Sequence, residues 1–514
     1  MHASLRSRFL CVMPLLLLAT LNATAAMPAE MAKDWDIPYL TQKADVGDLR
    51  AAAILSGLYR GGGNGSKALR YAQMAVDGGH PLGLRALARC YETGVGIAKD
   101  ARRALELFEK AFPEISKLAA AGDLYAQHVA ADRLRYGHGV TKDPVKAVEA
   151  YTPLAEQGYA FAQNSLGLCY RRGEGVPANQ VKAVEWFQKS AIQGNAPAQV
   201  NLAYHYQAGS GLGKDATKAF EWYQKAAAQD FAMAQVSLAH CYQKGMGVAA
   251  DPAKAAEWYQ KAAEQGDSQA QACLAYDYEV GRGLEKNVTK AAEWYQKAAE
   301  QGHAQAQVNL ARLYEAGCGV EKEPAKAFGW YQKAAAQNHA FAQSELGRML
   351  FYGTFVPKDT VRGLEQLHKA ADQGEPGAQY LLALEYGKGG ILKQDAEMAV
   401  LLYQKASAKG LARAQFNLGR CYKEGKAVAK DPVKAAEWFE KAARQGAADA
   451  QFEIGQCYKR GEGVPQNNDL AAEWFVKATQ RYEAILGDPE VSGELKTETM
   501  EFLARSDLKT YRAQ

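Results

Sequence analysis

Apolar and polar positions follow one pattern that recurs every 36 residues over most of the chain. Each period holds two amphipathic segments. The first, as in "AQNSLGLCYRRGEGV" from Ala162, places apolar residues at i, i+4 and i+8, the spacing of a helix. A Gly-x-Gly pair follows, as at Gly173/Gly175, Gly209/Gly211, Gly245/Gly247, Gly281/Gly283, Gly317/Gly319 and Gly461/Gly463. Glycine there lets the chain enter the left-handed region directly after a helix. The second segment opens on a capping residue and often a proline, as in Asp143-Pro144, Asp251-Pro252 and Asp431-Pro432. It carries Lys-Ala and a Trp-Tyr pair, and closes on glycine. Its phrase "AAEWYQKAAEQG" stands at 255–266 and again, unchanged, at 291–302.

The pattern predicts an all-α chain of helix hairpins. A reference alanine of the first helix recurs at Ala126, Ala162, Ala198, Ala234, Ala270, Ala306, Ala342, Ala378, Ala414 and Ala450, and two irregular units precede these, centred on Ala51 and Gly83. That makes about twelve units over residues 47–482. The second carries an excess around "FPEISKL" (112–118), and the first has a shortened turn, "GGGNGS" (61–66). Residues 27–46 read as an N-terminal capping helix and residues 483–514 as a C-terminal capping helix and tail. Each hairpin has an apolar face that only its neighbour can cover, so the predicted fold is an αα-hairpin solenoid.

The phrases "AQ-x-x-LG-x-x-Y-x-x-G-x-GV" and "KA-x-x-W-[YF]-x-KAA-x-x-G", read at Ala162–Val176 and Lys254–Gly266, closely resemble the Sel-one-like repeat family, relatives of tetratricopeptide repeats. The resemblance covers roughly residues 47–480. It implies a right-handed superhelix with the first helices on the concave side, and adaptor or scaffold work rather than catalysis. Ala150, Arg70 and Leu107 replace the tryptophan early, and Gln366 and Leu402 replace it later. Looser stacking is expected at those hairpins.

Bulk composition adds little. Sixty-one basic against 57 acidic residues leave a formal charge of +4, which selects no class of partner. Residues 1–26, "MHASLRSRFLCVMPLLLLATLNATAA", read as a secretory signal: Arg6 and Arg8, an apolar run from Phe9 to Leu21, and a small-residue cleavage site near Ala25 or Ala26. The run is short for a bilayer, and nothing later resembles a span. A periplasmic or secreted protein is therefore expected. Seven cysteines follow the signal, an odd number, so at least one stays unpaired or bonds another chain.

Residues that look chemical fall into register. Trp186, Trp222, Trp258, Trp294, Trp330, Trp438 and Trp474 share one phase of the second helix. A row of indoles could stack bases, but one phase in every hairpin is what packing requires, so these are expected in the core. Cys90, Cys169, Cys241, Cys421 and Cys457 lie seven residues after the reference position, as do His205 and Asp277. Equivalent points in stacked hairpins are about 10 Å apart. That is too far for shared zinc ligands or ladder disulfides, so small semi-buried side chains and no cofactor are expected. Disulfide-rich secreted relatives place two cysteines in each repeat, whereas this chain mostly places one.

Catalytic patterns are weak. His-Glu-x-x-His and Gly-x-Ser-x-Gly are missing, and "GGGNGSKA" (61–68) has its lysine after the serine, unlike a phosphate loop. Ser506 and Lys509 match the Ser-x-x-Lys of β-lactamases, and some relatives carry a penicillin-binding or β-lactamase label. Partner motifs are missing here, so no enzyme is expected.

On the tetratricopeptide template, helix A exposes the residue before the reference and those two, six, nine and ten after it. The basic residues there are Arg50, Arg60, Arg85, Arg89, Arg135, Arg171, Arg172, Lys244, Arg312, Arg348, Lys388, Arg413, Arg420, Lys423, Lys459 and Arg460. The acidic ones are Glu92, Asp132, Glu279, Glu315, Glu424 and Asp449, which leaves a basic surplus of ten. Phe341, Phe351, Tyr352, Tyr380, Phe416 and Phe452 add aromatic surface towards the C-terminal half. Arginine with exposed aromatics is the composition of binding hot spots. The expectation is a concave groove for an acidic segment of a partner protein. A penicillin-interacting hydrolase and a binder of anionic envelope polymer are the alternatives. Nucleic acid would suit a basic groove but not an exported protein.

Overall fold

A computed structural model describes residues 33–487, which form 25 helices and no strand. The chain divides into two compact units, residues 1–303 and 304–514. In the first, α1 (Ile37–Asp45) precedes the hairpins α2 (Leu49–Gly61)/α3 (Gly65–Asp77), α4 (Pro81–Thr93)/α5 (Ala101–Ala120), α6 (Leu124–Tyr136)/α7 (Pro144–Glu156) and α8 (Ala160–Arg172)/α9 (Gln180–Ile192). Then come α10 (Ala196–Ala208)/α11 (Ala216–Ala227), α12 (Ala232–Lys244)/α13 (Pro252–Glu264) and α14 (Ser268–Val280)/α15 (Val288–Glu300). The second unit holds α16 (Ala304–Ala316)/α17 (Pro324–Ala336), α18 (Ala340–Tyr352)/α19 (Thr360–Asp372) and α20 (Pro376–Lys388)/α21 (Ala396–Ala408). It continues with α22 (Ala412–Glu424)/α23 (Pro432–Arg444) and α24 (Ala448–Arg460)/α25 (Asn468–Gly487). The signal-like residues 1–26 and the Ser506/Lys509 pair lie outside the described residues.

Local chemistry sets the helix ends. Asp143, Asp215, Asp251 and Asp431 accept a hydrogen bond from the backbone N–H three residues on, at 2.9–3.0 Å, and so satisfy an amide that the helix leaves free. After each first helix a left-handed glycine ends the run, Gly281 at φ 77° among them. The second glycine of the turn answers a different need. A Cβ on Gly283 would lie 2.0 Å from the Pro252 carbonyl oxygen, so the turn of one hairpin rests directly on the helix start of the one before.

The core corrects one expectation by a single residue. Of the seven aligned tryptophans only Trp330 is buried; Trp186, Trp222, Trp258, Trp294, Trp438 and Trp474 are half-buried. The ring in the core is the next residue: Tyr151, Phe187, Tyr223, Tyr259, Tyr295, Tyr331, Phe439 and Phe475, with Leu367 and Tyr403 in the same row, all at most 7 % exposed. Neighbouring residues on a helix point about 100° apart, so where one ring sits at the centre of the core the other falls at its margin. Each indole instead carries the ammonium of a lysine three residues later. Lys189, Lys261 and Lys297 stand 4.2, 4.0 and 3.7 Å from the ring centres of Trp186, Trp258 and Trp294. Where tryptophan is missing, the core row continues unbroken, because it never depended on the indole.

A glutamine relay ties hairpin to hairpin. In most hairpins the glutamine that ends the second helix donates to one in its own first helix, as Gln193 to Gln163 (2.7 Å), Gln301 to Gln271 (2.8 Å) and Gln445 to Gln415 (2.7 Å). The inner glutamine then donates to a carbonyl at the preceding helix end, as Gln163 to Ala155 (3.0 Å) and Gln271 to Ala263 (3.1 Å), adding to the backbone amide each already accepts.

Within the first unit, hairpins far apart in sequence also meet. Gly62 packs so closely on Phe231 that a Cβ would lie 2.7 Å from the ring, and its carbonyl accepts from Met233 N–H. Asn64 donates to Gln265 (3.0 Å), and Lys67 pairs with Asp230 (2.8 Å). Asp230 stands where neighbouring hairpins end on glycine and keeps a positive φ of 62°. Two departures from the repeat, the shortened turn at 61–66 and Asp230, are thus the halves of one contact. Deeper inside, Asp34 takes a two-pronged bond from Arg50 (2.7 and 2.8 Å) and one from the Tyr159 hydroxyl (3.0 Å), while the Trp35 indole donates to the Gln193 carbonyl.

Candidate interaction groove

Position within the repeat explains what several of the predicted groove residues do. The residue nine after the reference lies over the core ring sixteen positions on. Tyr223 donates its hydroxyl to Gln207 (3.0 Å), Tyr295 to Glu279 (2.8 Å) and Tyr331 to Glu315 (3.1 Å). Arg171 instead places its guanidinium 5.9 Å above the Phe187 ring and donates to Asn201 (3.0 Å).

This rule overturns one expectation. Phe351 is 4 % exposed and cannot offer its ring to a partner. It occupies the ninth position of its helix, and its partner sixteen residues later is Leu367 rather than an aromatic. The two share one core cluster, so the large and small side chains have exchanged places. Gly363 assists: a Cβ there would stand 2.7 Å from the Phe351 backbone nitrogen, so the two helices approach closely.

The basic surplus is also smaller than the register count, because carboxylates outside the counted positions neutralise much of it. In the first unit Arg50 binds Asp34 and Asp123. Arg85, 5 % exposed, pairs with Asp132 (2.7 Å), which also accepts from the Tyr151 hydroxyl (2.6 Å). Burial works against the Asp132 carboxylate, but His128 and Arg85 outweigh it and hold its carboxyl well below the usual range. Arg135, 1 % exposed, pairs with Glu174 (2.8 Å), which Arg172 approaches at 3.6 Å. Arg60 has no carboxylate; burial and the charges of Arg89 and Arg85 lower its pKa to about 10.

The second unit differs. Arg312 and Arg413 are exposed without a carboxylate partner among the described residues. Arg420 is exposed with a 3.4 Å contact to Glu424, and Arg460 meets Glu462 only at 4.0 Å. Arg348 is engaged by Glu315 and Glu345 (both 2.8 Å) and Lys423 by Glu453 (2.6 Å); Lys459 is half-buried. Tyr352 is 49 % exposed. Tyr380, Phe416 and Phe452 are half-buried, their rings 6.2, 5.8 and 5.7 Å from Tyr403, Phe439 and Phe475. Arg171 and Arg172 belong to the first unit and the other twelve predicted groove residues to the second.

The sixth position also holds residues that the sequence reading passed over. Tyr204 and Tyr276, 53 % and 43 % exposed, flank the exposed His240 on α10, α12 and α14. Extending the aromatic search to the N-terminal half would have found them. The registered cysteines Cys90, Cys169, Cys241, Cys421 and Cys457 are all buried thiols, and burial pushes Cys241 and Cys457 up to about 11. In their register, burial lifts the Asp277 carboxyl to about 6, with Arg282 3.9 Å away.

Stacked helix hairpins of this kind define a tandem-repeat fold of the tetratricopeptide-like class. The Sel1 repeat profile matches twelve segments from residues 50–80 to 448–481, and the chain belongs to the Sel1 repeat family. Repeat arrays of this kind are generally non-enzymatic protein-interaction scaffolds. The chain is similar to c5321, a protective antigen of uropathogenic Escherichia coli with an SLR fold: 32% identity, 86% of this chain and 92% of that one, TM-score 0.59. It is also similar to a Sel1 repeat protein from Oxalobacter formigenes: 31% identity, 61% of this chain and 93% of that one, TM-score 0.47. No match is found among curated proteins.

Proposed function

We propose that this protein is an exported, non-enzymatic scaffold whose second unit holds an acidic segment of a partner protein. The carrying observation is the pair Arg312 and Arg413, exposed on the first helices of their hairpins with no carboxylate on either. Unpaired guanidinium groups in the unit that also carries the exposed Tyr352 and the half-buried Tyr380, whose phenol feels the Arg413 charge, give a partner charge-assisted bonds and an apolar contact. The signal-like residues 1–26 support export.

The test reverses only the unpaired charges. Arg312→Glu with Arg413→Glu should abolish salt-sensitive capture of acidic proteins from an envelope extract while leaving the thermal midpoint unchanged. Equal capture by that double variant would discard the reading.

A further inference from the structure

One hairpin lacks the side chain that the others set over their core ring. The ninth position of α20 is Gly387, and sixteen residues later Tyr403 occupies the core row, 7 % exposed. Tyr223, Tyr295 and Tyr331 each donate to their ninth-position side chain, whereas the Tyr403 hydroxyl has no hydrogen-bond partner among the described residues. A Cβ added to Gly387 would meet nothing nearer than Ala399 Cβ at 3.8 Å, so the missing side chain leaves open space.

That space is a cleft of about 200 Å³. Leu384 and Val400 give it an apolar floor, and Lys388, Arg420 and Lys426 face it against one carboxylate, Glu424. Size decides what it can take. A cavity of about 150 Å³ holds a benzene ring, while drug-sized ligands need roughly 300–1,000 Å³. The cleft therefore has room for one side chain and not for a drug-sized ligand.

We infer that the Gly387–Tyr403 cleft is an anchor for a single carboxylate-bearing residue of a partner chain. The apolar part rests on Leu384 and Val400, and the carboxylate accepts from the Tyr403 hydroxyl and the Arg420 guanidinium. Burial and its neighbours raise the phenol's pKa, so Tyr403 remains a donor at neutral pH. This inference rests on the acidic-segment reading above and gives it a specific seat. The carboxylate could come from an acidic side chain or from a chain end, and the two are separable.

The full-length chain is titrated into three dye-labelled peptides by fluorescence polarisation. One ends in a free leucine carboxylate, the second is its amide, and the third is the amide with an internal Glu-Leu. The first or the third should bind and the second should not; whichever binds identifies the carboxylate's source. Gly387→Gln restores the side chain found at Gln207, so it should fill the cleft and satisfy Tyr403. Affinity should fall at least about tenfold with an unfolding midpoint equal or higher. Tyr403→Phe, which keeps the ring, should weaken binding in the same direction even if Gly387→Gln folds poorly. Binding that survives both substitutions, equal binding of all three peptides, or binding of none overturns the inference. If Arg312→Glu with Arg413→Glu loses envelope capture while Gly387→Gln retains it, the groove reading stands and the seat alone is wrong.

Discussion

The sixth position after the reference residue carries Arg89 and Asp132 in the first unit, and Arg312 and Arg420 in the second. Asp132 is buried against Arg85 and Arg89 is tied to Glu92, whereas Arg312 and Arg420 are exposed. The same register thus holds Arg89, Asp132 and the second unit's Arg348 in close ion pairs, yet among the described residues leaves Arg312 unpaired and Arg420 with only a 3.4 Å contact to Glu424. Register alone does not decide function. What decides it is whether another part of the chain supplies a counter-charge, and in the first unit the early hairpins are drawn into internal contacts that do so.

The sharpest test of that contrast removes one charge from each unit. Asp132→Ala leaves Arg85 buried without a counter-charge and should cost about 3–5 kcal/mol, read as faster amide exchange in α4–α7. Arg312→Ala should stay within about 0.5 kcal/mol. Comparable losses would mean the two inner faces are not different in kind.

A smaller effect depends on pH. The Asp277 carboxyl, 1 % exposed, titrates near 6 in the folded chain against 3.8 as its ordinary value. A folded value above the unfolded one means that ionisation weakens the fold. Stability is therefore full below about pH 4 and declines as pH rises through 6, by up to about 3 kcal/mol at pH 7. Asp277→Asn should flatten this dependence between pH 4.5 and 7.5 in denaturant titrations of the first unit; an unchanged slope would remove Asp277 as its source. Smaller again, Gly62→Ala pushes a methyl onto Phe231 and should cost about 1–3 kcal/mol. It should appear as new protease cleavage within residues 60–67 and leave the second unit's exchange untouched.

Much of the fold was legible because packing positions are copied: the period, both helices, the caps and the Gly-x-Gly turns follow from the letters. That the indoles pack at the margin of the core and the next ring at its centre was not legible, because Trp and the following Tyr or Phe are both large and apolar, and only three-dimensional packing reveals which phase faces inwards. Phe351 misled for a related reason, since its burial depends on the small size of Leu367. The neutralising partners Asp34, Glu174, Glu345 and Glu453 lie off the concave template, so a count along five positions could not see them. The Gly387 cleft was hidden too, because a missing side chain means something only once the tyrosine beneath it is known.

Arrays of this kind can ordinarily gain or lose a whole unit, since each module touches only those beside it. The clasp joining Asn64 and Lys67 to Asp230 and Gln265 sets a limit on that freedom. Insert or delete a module between them and the two ends no longer coincide, although every individual hairpin would still be sound. Over that stretch the protein keeps count of its own repeats, and evolutionary change in length should be confined to the modules outside it.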